Sequence, residues 1–330
     1  MKSILNQVLE QKQLSKQQAH ETLLQIASGK LNVSQMAAFI TVYMMRTITV
    51  EELAGFRDAM LDLCLRVELD QPVIDVCGTG GDGKNTFNIS TLASFVVAAC
   101  GQPVAKHGNY GVSSVSGSSN MLEHFGYVFT NNIDVLKRQI EEVNIAFMHA
   151  PLFHPAMKTV APIRKELGVK TFFNMLGPMV NPALPPNQMV GVFSLELARQ
   201  YAYLYQQTDK RFSVLHCLGG YDEISLTDSV KVFDNKGESV LESSYYNSTL
   251  LYPDEIEGGD TVADAATIFL NVLEGKGTVQ QNAVVVANAA QALITCQPTL
   301  SINDAIEQAR EALLSGEAYK RFKKLLTIQP

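Results

Sequence analysis

The chain has 330 residues, of which 46% are hydrophobic and 18% are charged, and its formal net charge is −7. A chain of this length buries roughly three-quarters of its unfolded surface, so we expect a core that needs neither disulfides nor a structural metal. The acidic balance argues against a general affinity for nucleic acid or for an anionic membrane. Any anion that the protein binds must therefore be held by a local site.

The cysteines and the first residues indicate a cytoplasmic protein. The five cysteines are odd in number, far apart in the sequence and without a CxxC pair, which favours a reducing compartment. The N-terminus turns polar after two apolar residues, too early for a signal peptide. The longest apolar runs, such as residues 92–100, fall far short of the ~20 residues that span a bilayer. We therefore expect no membrane partner.

Residues 1–70 have the pattern of a helical domain. Apolar residues recur there at intervals of three and four, which is typical of amphipathic helices. Ser15 with Gln18, and Thr49 with Glu52, have the spacing of the capping box that begins a helix. No motif with an obvious chemical role lies in this segment.

From residue 72 onward, predicted strands alternate with predicted helices. Apolar runs and turn signals predict strands at 72–77, 103–107, 145–150, 189–193 and 211–218, and helices at 89–100, 133–144, 154–167 and 195–207. A hairpin with Asn-Lys-Gly at its turn is predicted at 231–240, and long helices end the chain. Such alternation implies parallel βαβ units, so the sequence predicts an α/β domain behind the helical one.

The most informative stretch is DVCGTGGDGKNTFNIST, at residues 75–91. It places four glycines between a predicted buried strand and a predicted helix. Glycines at such a position let backbone N–H groups approach an anion, and the helix N-terminus adds a favourable dipole. We interpret the stretch as a phosphate-binding turn rather than as a tight βα turn without a ligand.

Two well-known phosphate motifs nearly match this turn. The glycine spacing fits the dinucleotide fingerprint, which also needs an acidic residue at the end of the next strand, and residues 98–105 contain none. Gly83-Lys84 fits a Walker A motif, but Asn85 stands where Ser or Thr should hold magnesium. Asp82 would also repel a phosphate unless a cation lies between them. Both interpretations are weak.

The turn and several later blocks together resemble the anthranilate phosphoribosyltransferase family. The blocks are GTGGD at 78–82, NIST at 88–91, KHGN at 106–109, SSxSGSS at 113–119, HPAMK at 154–158, APIRKELG at 161–168, FNMLGPMVNP at 173–182 and GGYDEISL at 219–226. They span nearly the whole chain in order and without a large insertion. Because several of them are distinctive, the combination is a strong signal.

The resemblance implies an α/β fold of the nucleoside phosphorylase and phosphoribosyltransferase type. A small N-terminal helical domain, 1–70, would be completed in space by helices near 154–180. The larger α/β domain, 71–330, would have a mainly parallel central sheet and bind phosphoribosyl pyrophosphate. Homodimers formed through the helical domains are usual in the family. The sequence does not decide whether the protein associates with anthranilate synthase.

The resemblance also implies an activity and a cofactor. Enzymes of this family transfer the 5-phosphoribosyl group of phosphoribosyl pyrophosphate to the amine of anthranilate, in an early step of tryptophan biosynthesis. The products are N-(5-phosphoribosyl)anthranilate and pyrophosphate, and the reaction requires Mg²⁺. Displacement at the anomeric carbon passes through an oxocarbenium-like state, so the enzyme mainly stabilises leaving-group charge and positions a weak amine nucleophile.

Site residues carry over from the family position by position. Those expected to bind phosphoribosyl pyrophosphate are Gly78, Gly81, Asp82, Thr86, Asn88, Ile89, Ser90, Thr91, Lys106, His107, Gly108, Asn109, Ser113, Ser114 and Ser118. Those expected to bind anthranilate are Gly78, Asn109, His107, His154 and Arg164, whose planar guanidinium suits a carboxylate. The expected magnesium ligands are Ser90, Asp222 and Glu223, and hard oxygen ligands suit that ion.

The sequence departs from the common family pattern within the phosphate region. Tyr110 and Gly111 replace a usual Arg-Ser, Val115 replaces a usual lysine, and Asn120 replaces a usual acidic residue. Two positive charges near the phosphates are therefore absent, while the serine hydroxyls remain. Three consequences stay open, namely weaker binding of phosphoribosyl pyrophosphate, contacts shifted to backbone and hydroxyls, or a different substrate.

Two other functions remain as alternatives. A pyrimidine nucleoside phosphorylase shares the architecture, but its chemistry needs neither the anthranilate contact of Arg164 nor the acidic pair Asp222-Glu223. A nucleic-acid-binding relative without transferase activity should show a basic face, whereas this chain carries a net charge of −7. We therefore expect a transferase.

Overall fold

The computed structural model describes residues 1–111 and 116–330, so Ser113, Ser114 and Val115 lie outside the described residues. Its helices are α1 (Lys2–Leu9), α2 (Lys16–Ala27), α3 (Val33–Met45), α4 (Val50–Asp62), α5 (Ile89–Ala99), α6 (Ser118–His124), α7 (Ile133–Val143), α8 (Ala150–Phe153), α9 (Met157–Leu167), α10 (Phe173–Leu176), α11 (Leu195–Tyr205), α12 (Val262–Leu273), α13 (Val279–Cys296), α14 (Ile302–Leu314) and α15 (Glu317–Leu325). Its strands are β1 (Ile74–Gly78), β2 (Val104–Gly108), β3 (Ile145–His149), β4 (Asn187–Gly191), β5 (Arg211–Cys217), β6 (Val230–Asp234) and β7 (Gly237–Leu241). No helix in these described ranges is both long enough and apolar enough to span a membrane.

The chain divides into a helical unit and an α/β unit. The helical unit consists of Met1–Val67 and Ala150–Leu184, and the α/β unit of Glu68–His149 and Pro185–Pro330. The predicted boundary lies at residue 70, and the predicted returning helices lie near 154–180. In the helical unit, Phe172 of the second segment packs on Phe56 of the first, with ring centroids 4.7 Å apart.

Both predicted capping boxes form in the helical unit. Ser15 accepts the N–H of Gln18 at the start of α2, and Thr49 accepts the N–H of Glu52 at the start of α4. In each case the third residue returns the hydrogen bond to the cap backbone, so two N–H groups at each helix start are satisfied. The two helix starts were therefore predicted correctly.

The predicted helix at 154–167 begins three residues later than expected. A short helix, α8, ends at Phe153, and α9 begins at Met157. Pro155 explains the break, because proline disfavours helical backbone at the residue before it. The break leaves His154 between two helices, where its side chain is buried.

The α/β unit is built on a seven-stranded sheet in the order β3-β2-β1-β4-β5-β6-β7. Strands β1 to β5 are parallel, and β6 and β7 add an antiparallel hairpin whose turn is the predicted Asn-Lys-Gly segment. The mainly parallel sheet and the helical domain confirm the predicted fold class. One large core of buried apolar residues is formed by the sheet and by helices that include α5 and α13.

Strand β4 begins two residues before the predicted strand. The apolar pattern pointed to 189–193, whereas the ladder with β1 runs from Asn187 to Gly191. Asn187 and Gln188 are buried, and their amides donate to Val73 O and to Asp75 Oδ2, at 3.3 and 3.4 Å. Hydropathy missed these positions because hydrogen bonds compensate the burial of their polar groups.

The strand order creates a switch point between β1 and β4. The chain proceeds from β1 outward through β2 to β3 and then returns to the other side of β1. Ligands in such sheets bind beyond the carboxyl ends of the strands at this point. The glycine-rich turn follows β1 directly, so the topology places it where a ligand is expected.

Candidate functional site

Left-handed backbone shapes the glycine-rich turn after β1. Gly80, Gly81 and Gly83 have φ values of +64°, +77° and +76°, which side chains with a Cβ rarely adopt. Lys84 donates its N–H to Asp82 Oδ1 at 3.0 Å, which closes the end of the turn. The turn therefore keeps the tight form that its glycines predicted.

Asp222 fastens the turn to the segment that follows β5. Its Oδ2 accepts the N–H of Gly80 at 2.7 Å, and its own N–H donates to Asp82 Oδ2 at 3.4 Å. A Cβ at Gly78 would overlap the Asp222 carboxylate, and one at Gly191 would overlap the Asp222 backbone. Both glycines are therefore required by the close approach of Asp222.

Glu223 and Lys106 meet at the N-terminus of α5. Glu223 Oε1 accepts the N–H of Ser90 at 2.9 Å. The ammonium of Lys106, at the end of β2, donates to Val76 O at 2.5 Å and to Ser90 Oγ at 3.4 Å. The structure thus brings together Ser90, Glu223 and Lys106, which are distant in the sequence.

Burial and neighbouring negative charge make the ionised acidic pair electrostatically unfavourable. Burial raises the pKa of Asp222 well above its usual value, and the charges of Glu223 and Asp82 add to that effect. Burial likewise raises the pKa of Glu223 to about 7, against the hydrogen bond from Ser90 and the charge of Lys106. Burial lowers the pKa of Lys106, and the nearby acidic groups oppose that shift. The pair therefore lacks enough positive charge.

The donor set fits magnesium better than a tightly ligated metal. Among the described residues, no group of three or more His, Cys, Asp or Glu side chains is placed to hold a metal ion. Magnesium is usually bound by one or two carboxylates together with waters and substrate phosphates. Two neighbouring carboxylates with raised pKa values and one hydroxyl meet that description.

Other turn residues lie around the start of α5. Thr86 forms an isolated antiparallel β-bridge with Glu257 through the backbone. Asn88 donates its side-chain N–H to Ser116 O at 2.9 Å instead of capping α5. Ile89 is fully buried in the core. The Thr91 hydroxyl is buried and has no hydrogen-bond partner among the described residues. Ile89 therefore contributes its backbone and its packing rather than a polar side chain.

The KHGN block ends β2 and continues into an exposed turn. His107 is buried, and its N–H donates to Asp75 Oδ1 at 3.2 Å. Asn109 is exposed, and its carbonyl accepts from Ser118 Oγ at 3.4 Å. A Cβ at Gly108 would crowd the Ser118 hydroxyl. The block and Ser118 thus form one local structure beside β1.

Two of the departures from the family pattern have clear local roles. The Tyr110 hydroxyl donates to Glu123 Oε1 at 2.6 Å. Asn120 Oδ1 accepts the N–H groups of Gly111 and Gly117, at 3.0 and 3.1 Å. The carboxamide therefore joins the described residues on either side of 112–115 without adding a charge.

Two of the residues expected to bind anthranilate lie in the helical unit. The Arg164 guanidinium donates to Asn174 Oδ1 at 3.2 Å and lies 5.6 Å from the Phe173 ring. Burial lowers its pKa, and within the described ranges no carboxylate pairs with it. Burial also lowers the pKa of His154 to about 4, against a hydrogen bond to the backbone of Val180. The positive charge of the Arg164 guanidinium is therefore available to an anion.

Two features of the turn are not predicted by the sequence pattern. The hydroxyl of Thr79 is buried without a hydrogen-bond partner in the described part of the chain. The Lys84 ammonium lies 4.6 Å from the centre of the Tyr221 ring, immediately before the acidic pair. Lys84 fits the Walker A spacing, but Asn85 does not, so Lys84 is not among the predicted site residues.

Comparisons with known proteins cover both units. The model of the glycosyl transferase family α/β domain matches residues 70–319, and the model of its helical bundle domain matches residues 2–64. Matches on both units, in the same order as in the sequence, agree with the two-part architecture. They do not favour the alternative functions.

The similar proteins reported below are anthranilate phosphoribosyltransferases. The anthranilate phosphoribosyltransferase of Christiangramia forsetii is 55% identical over 326 residues, 98% of each chain. The crystal structure of the Thermus thermophilus enzyme is 32% identical, with a TM-score of 0.91 over 98% of each chain. The Saccharomyces cerevisiae enzyme in complex with PRPP and Mg is 28% identical, with a TM-score of 0.91 over 99% of this chain and 96% of that one. The chain therefore belongs to the anthranilate phosphoribosyltransferases, which are enzymes of the glycosyl transferase family.

Proposed function

We propose that this chain transfers the 5-phosphoribosyl group of phosphoribosyl pyrophosphate to the amine of anthranilate, as a step of tryptophan biosynthesis. The observation that carries the proposal is the glycine turn at the switch point, held to Asp222 through Gly80 and to Glu223 through the N-terminus of α5. A left-handed glycine turn suits a phosphorylated substrate. The adjacent acidic pair suits the divalent ion that accompanies a pyrophosphate.

The magnesium site consists of Ser90, Asp222 and Glu223. Support comes from the raised pKa values of the two carboxylates and from the yeast relative, which binds PRPP and Mg. When bound, magnesium neutralises charge on the pyrophosphate leaving group. Asp222 and Glu223 also fix the turn and the start of α5, so they hold the substrate-binding backbone in place before the substrate arrives.

Phosphoribosyl pyrophosphate binds to the glycine turn, to the start of α5 and to the KHGN block. The residues that we assign to it are Gly78, Gly81, Asp82, Thr86, Asn88, Ile89, Ser90, Thr91, Lys106, His107, Gly108, Asn109, Ser113, Ser114 and Ser118. Lys106 is mainly a buried counter-charge to the acidic pair, since it faces Ser90 and the carbonyl of Val76. The positive charge of Lys106 also attracts the negative charge of a bound phosphate.

Arg164 binds the carboxylate of anthranilate, with Gly78, His107, Asn109 and His154 as further contacts. A half-buried guanidinium without a carboxylate partner in the described ranges is prepared for a bidentate anion. Phe173 lies against one face of the guanidinium and limits its rotation. We expect Arg164→Ala to raise the KM for anthranilate about tenfold or more, with little effect on the KM for phosphoribosyl pyrophosphate.

The neighbouring exposed Lys165 provides the control for that experiment. Lys165→Ala removes a positive charge from the same helix turn and should change neither KM. A rise in the KM for phosphoribosyl pyrophosphate alone in Arg164→Ala would show that Arg164 serves the other substrate.

The protein acts as a cytoplasmic homodimer. The five cysteines are all free, as expected in a reducing compartment. The helical unit exposes Leu9, Val33 and Met45 by 56%, 55% and 79%, which supplies apolar surface for a second copy. Light scattering that shows a monomer at micromolar concentration would contradict the dimer.

Loss of anthranilate fluorescence on mixing with phosphoribosyl pyrophosphate and magnesium tests the activity directly. We expect consumption of anthranilate that depends on both the second substrate and the metal, with pyrophosphate released in equal amount. The proposal fails if anthranilate persists while a pyrimidine nucleoside is cleaved with phosphate.

A further inference from the structure

We infer that Lys84 is a further contact for phosphoribosyl pyrophosphate, and that its ammonium pairs with the diphosphate leaving group. The inference rests on the proposed phosphoribosyl transfer and adds a residue that the family pattern does not supply. Lys84 follows Gly83 at the end of the glycine turn, where the sequence fits a Walker A motif only in part.

The side chain of Lys84 is held in a defined place. Its backbone N–H donates to Asp82 Oδ1 at 3.0 Å, so the residue is fixed to the glycine turn. Its side chain crosses Gly220, where an added Cβ would lie 3.6 Å from the Lys84 Cε. The ammonium then lies 4.6 Å from the centre of the Tyr221 ring, and Tyr221 is itself buried. Packing on a fixed ring reduces the freedom of a long flexible side chain.

The charge of Lys84 is available to an anion. In the described part of the chain, no carboxylate pairs with its ammonium, although Asp82 lies two residues away. Lys231 makes a useful contrast, because its ammonium lies 5.3 Å from the Phe233 ring and also pairs with Glu238 at 2.9 Å. Of these two ring-packed lysines, Lys84 is the one without an ion pair.

The position of Lys84 indicates that its ammonium contacts the diphosphate of phosphoribosyl pyrophosphate. Tyr221 immediately precedes Asp222 and Glu223, the proposed magnesium ligands, and magnesium binds substrates through their phosphates. The side chain is half-buried beside a turn that carries Asp82. A diphosphate adds several negative charges there, and Tyr110 and Val115 stand where the family usually has cations. Lys84 therefore supplies positive charge on the side of the site that holds the acidic pair.

Lys84→Met tests this inference, because methionine keeps an unbranched stem for the Tyr221 ring and removes the charge. We expect the KM for phosphoribosyl pyrophosphate and the inhibition constant of pyrophosphate each to rise about fivefold, as for a partly exposed ion pair. The KM for anthranilate should stay unchanged, and the difference from wild type should shrink at high salt. Lys84→Arg should restore both constants in large part.

Lys231→Met is the matched control and should leave all three constants at their wild-type values. Thermal unfolding without substrate shows whether Lys84→Met folds as the wild type does, and added phosphoribosyl pyrophosphate should stabilise it less than the wild type. Unchanged constants for phosphoribosyl pyrophosphate and pyrophosphate in Lys84→Met, or an equal rise in both KM values, would overturn the inference. Failure of the proposed function is distinct, since the wild type itself would then consume no anthranilate.

Discussion

Buried carboxylates occur in both units, and their surroundings are opposite. In the helical unit, Glu52 is fully buried, yet hydrogen bonds from Arg46, Leu14 and Thr49 outweigh burial and lower its pKa. In the α/β unit, Asp222 is buried beside Glu223, and burial together with the charge of Asp82 raises both pKa values. Glu52 has its counter-charge within the helical unit, whereas the two carboxylates of the acidic pair lie close to a third, Asp82.

The donors around Glu52 show why it is structural. Its Oε1 accepts from Leu14 N at 2.9 Å and from the Tyr43 hydroxyl at 3.0 Å, and its Oε2 accepts from Thr49 N at 3.0 Å. Arg46 adds two charged hydrogen bonds, one to each oxygen. Every part of this network lies in the helical unit, so the carboxylate joins α4 to α3 and to the segment between α1 and α2.

The comparison teaches that burial alone does not mark a functional carboxylate. The ratio of hydrogen-bond donors to negative charges separates the two cases. Glu52 has an arginine and several N–H or O–H donors for one charge, whereas Asp222 and Glu223 each accept one backbone N–H and lie close to Asp82. A deficit of positive charge at a strand end is a sign of a ligand site.

The largest effect is expected from replacing the acidic pair. Asp222→Asn with Glu223→Gln should lower kcat/KM about 10³-fold, because the variant loses the charges that magnesium balances. Amide oxygens can still accept from Gly80 and Ser90, so the fold should persist. Because the folded-state pKa of Glu223 lies near 7, above its ordinary 4.5, its ionisation destabilises the fold as pH rises through that range. The free energy of unfolding near neutral pH should therefore not fall.

Activity at limiting magnesium and urea unfolding without magnesium measure those two effects. Wild-type activity in the double variant would show that the pair holds no magnesium that the reaction needs, and the contrast with Glu52 would then have no functional meaning. A large loss of stability would instead make the pair structural, like Glu52.

Glu52→Gln should have the reverse outcome. Removing one partner of a buried ion pair leaves Arg46 unpaired and should lower the free energy of unfolding by about 3 kcal/mol. Activity per folded molecule should remain near the wild-type value. The exposed neighbour Glu51 provides the control, since Glu51→Gln should leave stability unchanged. Urea unfolding and the fluorescence assay on the same samples decide whether Glu52 is structural.

The smallest effect concerns pH and His154. Its folded-state pKa of about 4 lies below its ordinary 6.5, so protonation in this range favours the unfolded chain. The stability is present above pH 6.5 and is lost as the pH falls toward 4, with about 2 kcal/mol already lost at pH 5. His154→Gln should remove this part of the acid sensitivity, measured as the difference in unfolding free energy between pH 7 and pH 5.

Two controls isolate that contribution. Glu52 also loses its stabilising effect in acid. This loss is the same in the wild type and in His154→Gln, so it cancels when the two are compared. His124→Gln replaces an exposed histidine and is the matched control, which should follow the wild type. An identical pH dependence in His154→Gln and the wild type would contradict the buried neutral histidine.

Local patterns in the sequence determined much of the fold. Ser15 and Thr49 begin helices where their capping boxes predicted, because a cap depends on residues only three positions apart. The glycines after β1 likewise required a left-handed turn. The family resemblance supplied the activity, and the similar proteins agree with it. The caps and the turn depend on short segments of the chain, and the family resemblance depends on motifs that are present in the sequence itself.

Tertiary structure decided the electrostatics. Hydropathy placed β4 two residues late, because it cannot see the hydrogen bonds that compensate buried Asn187 and Gln188. No local pattern showed that Glu52 pairs with Arg46, or that the Lys84 ammonium lies over the Tyr221 ring. The pKa of a group and the partner of a charge depend on atoms brought together from distant parts of the chain, and only folding brings them together.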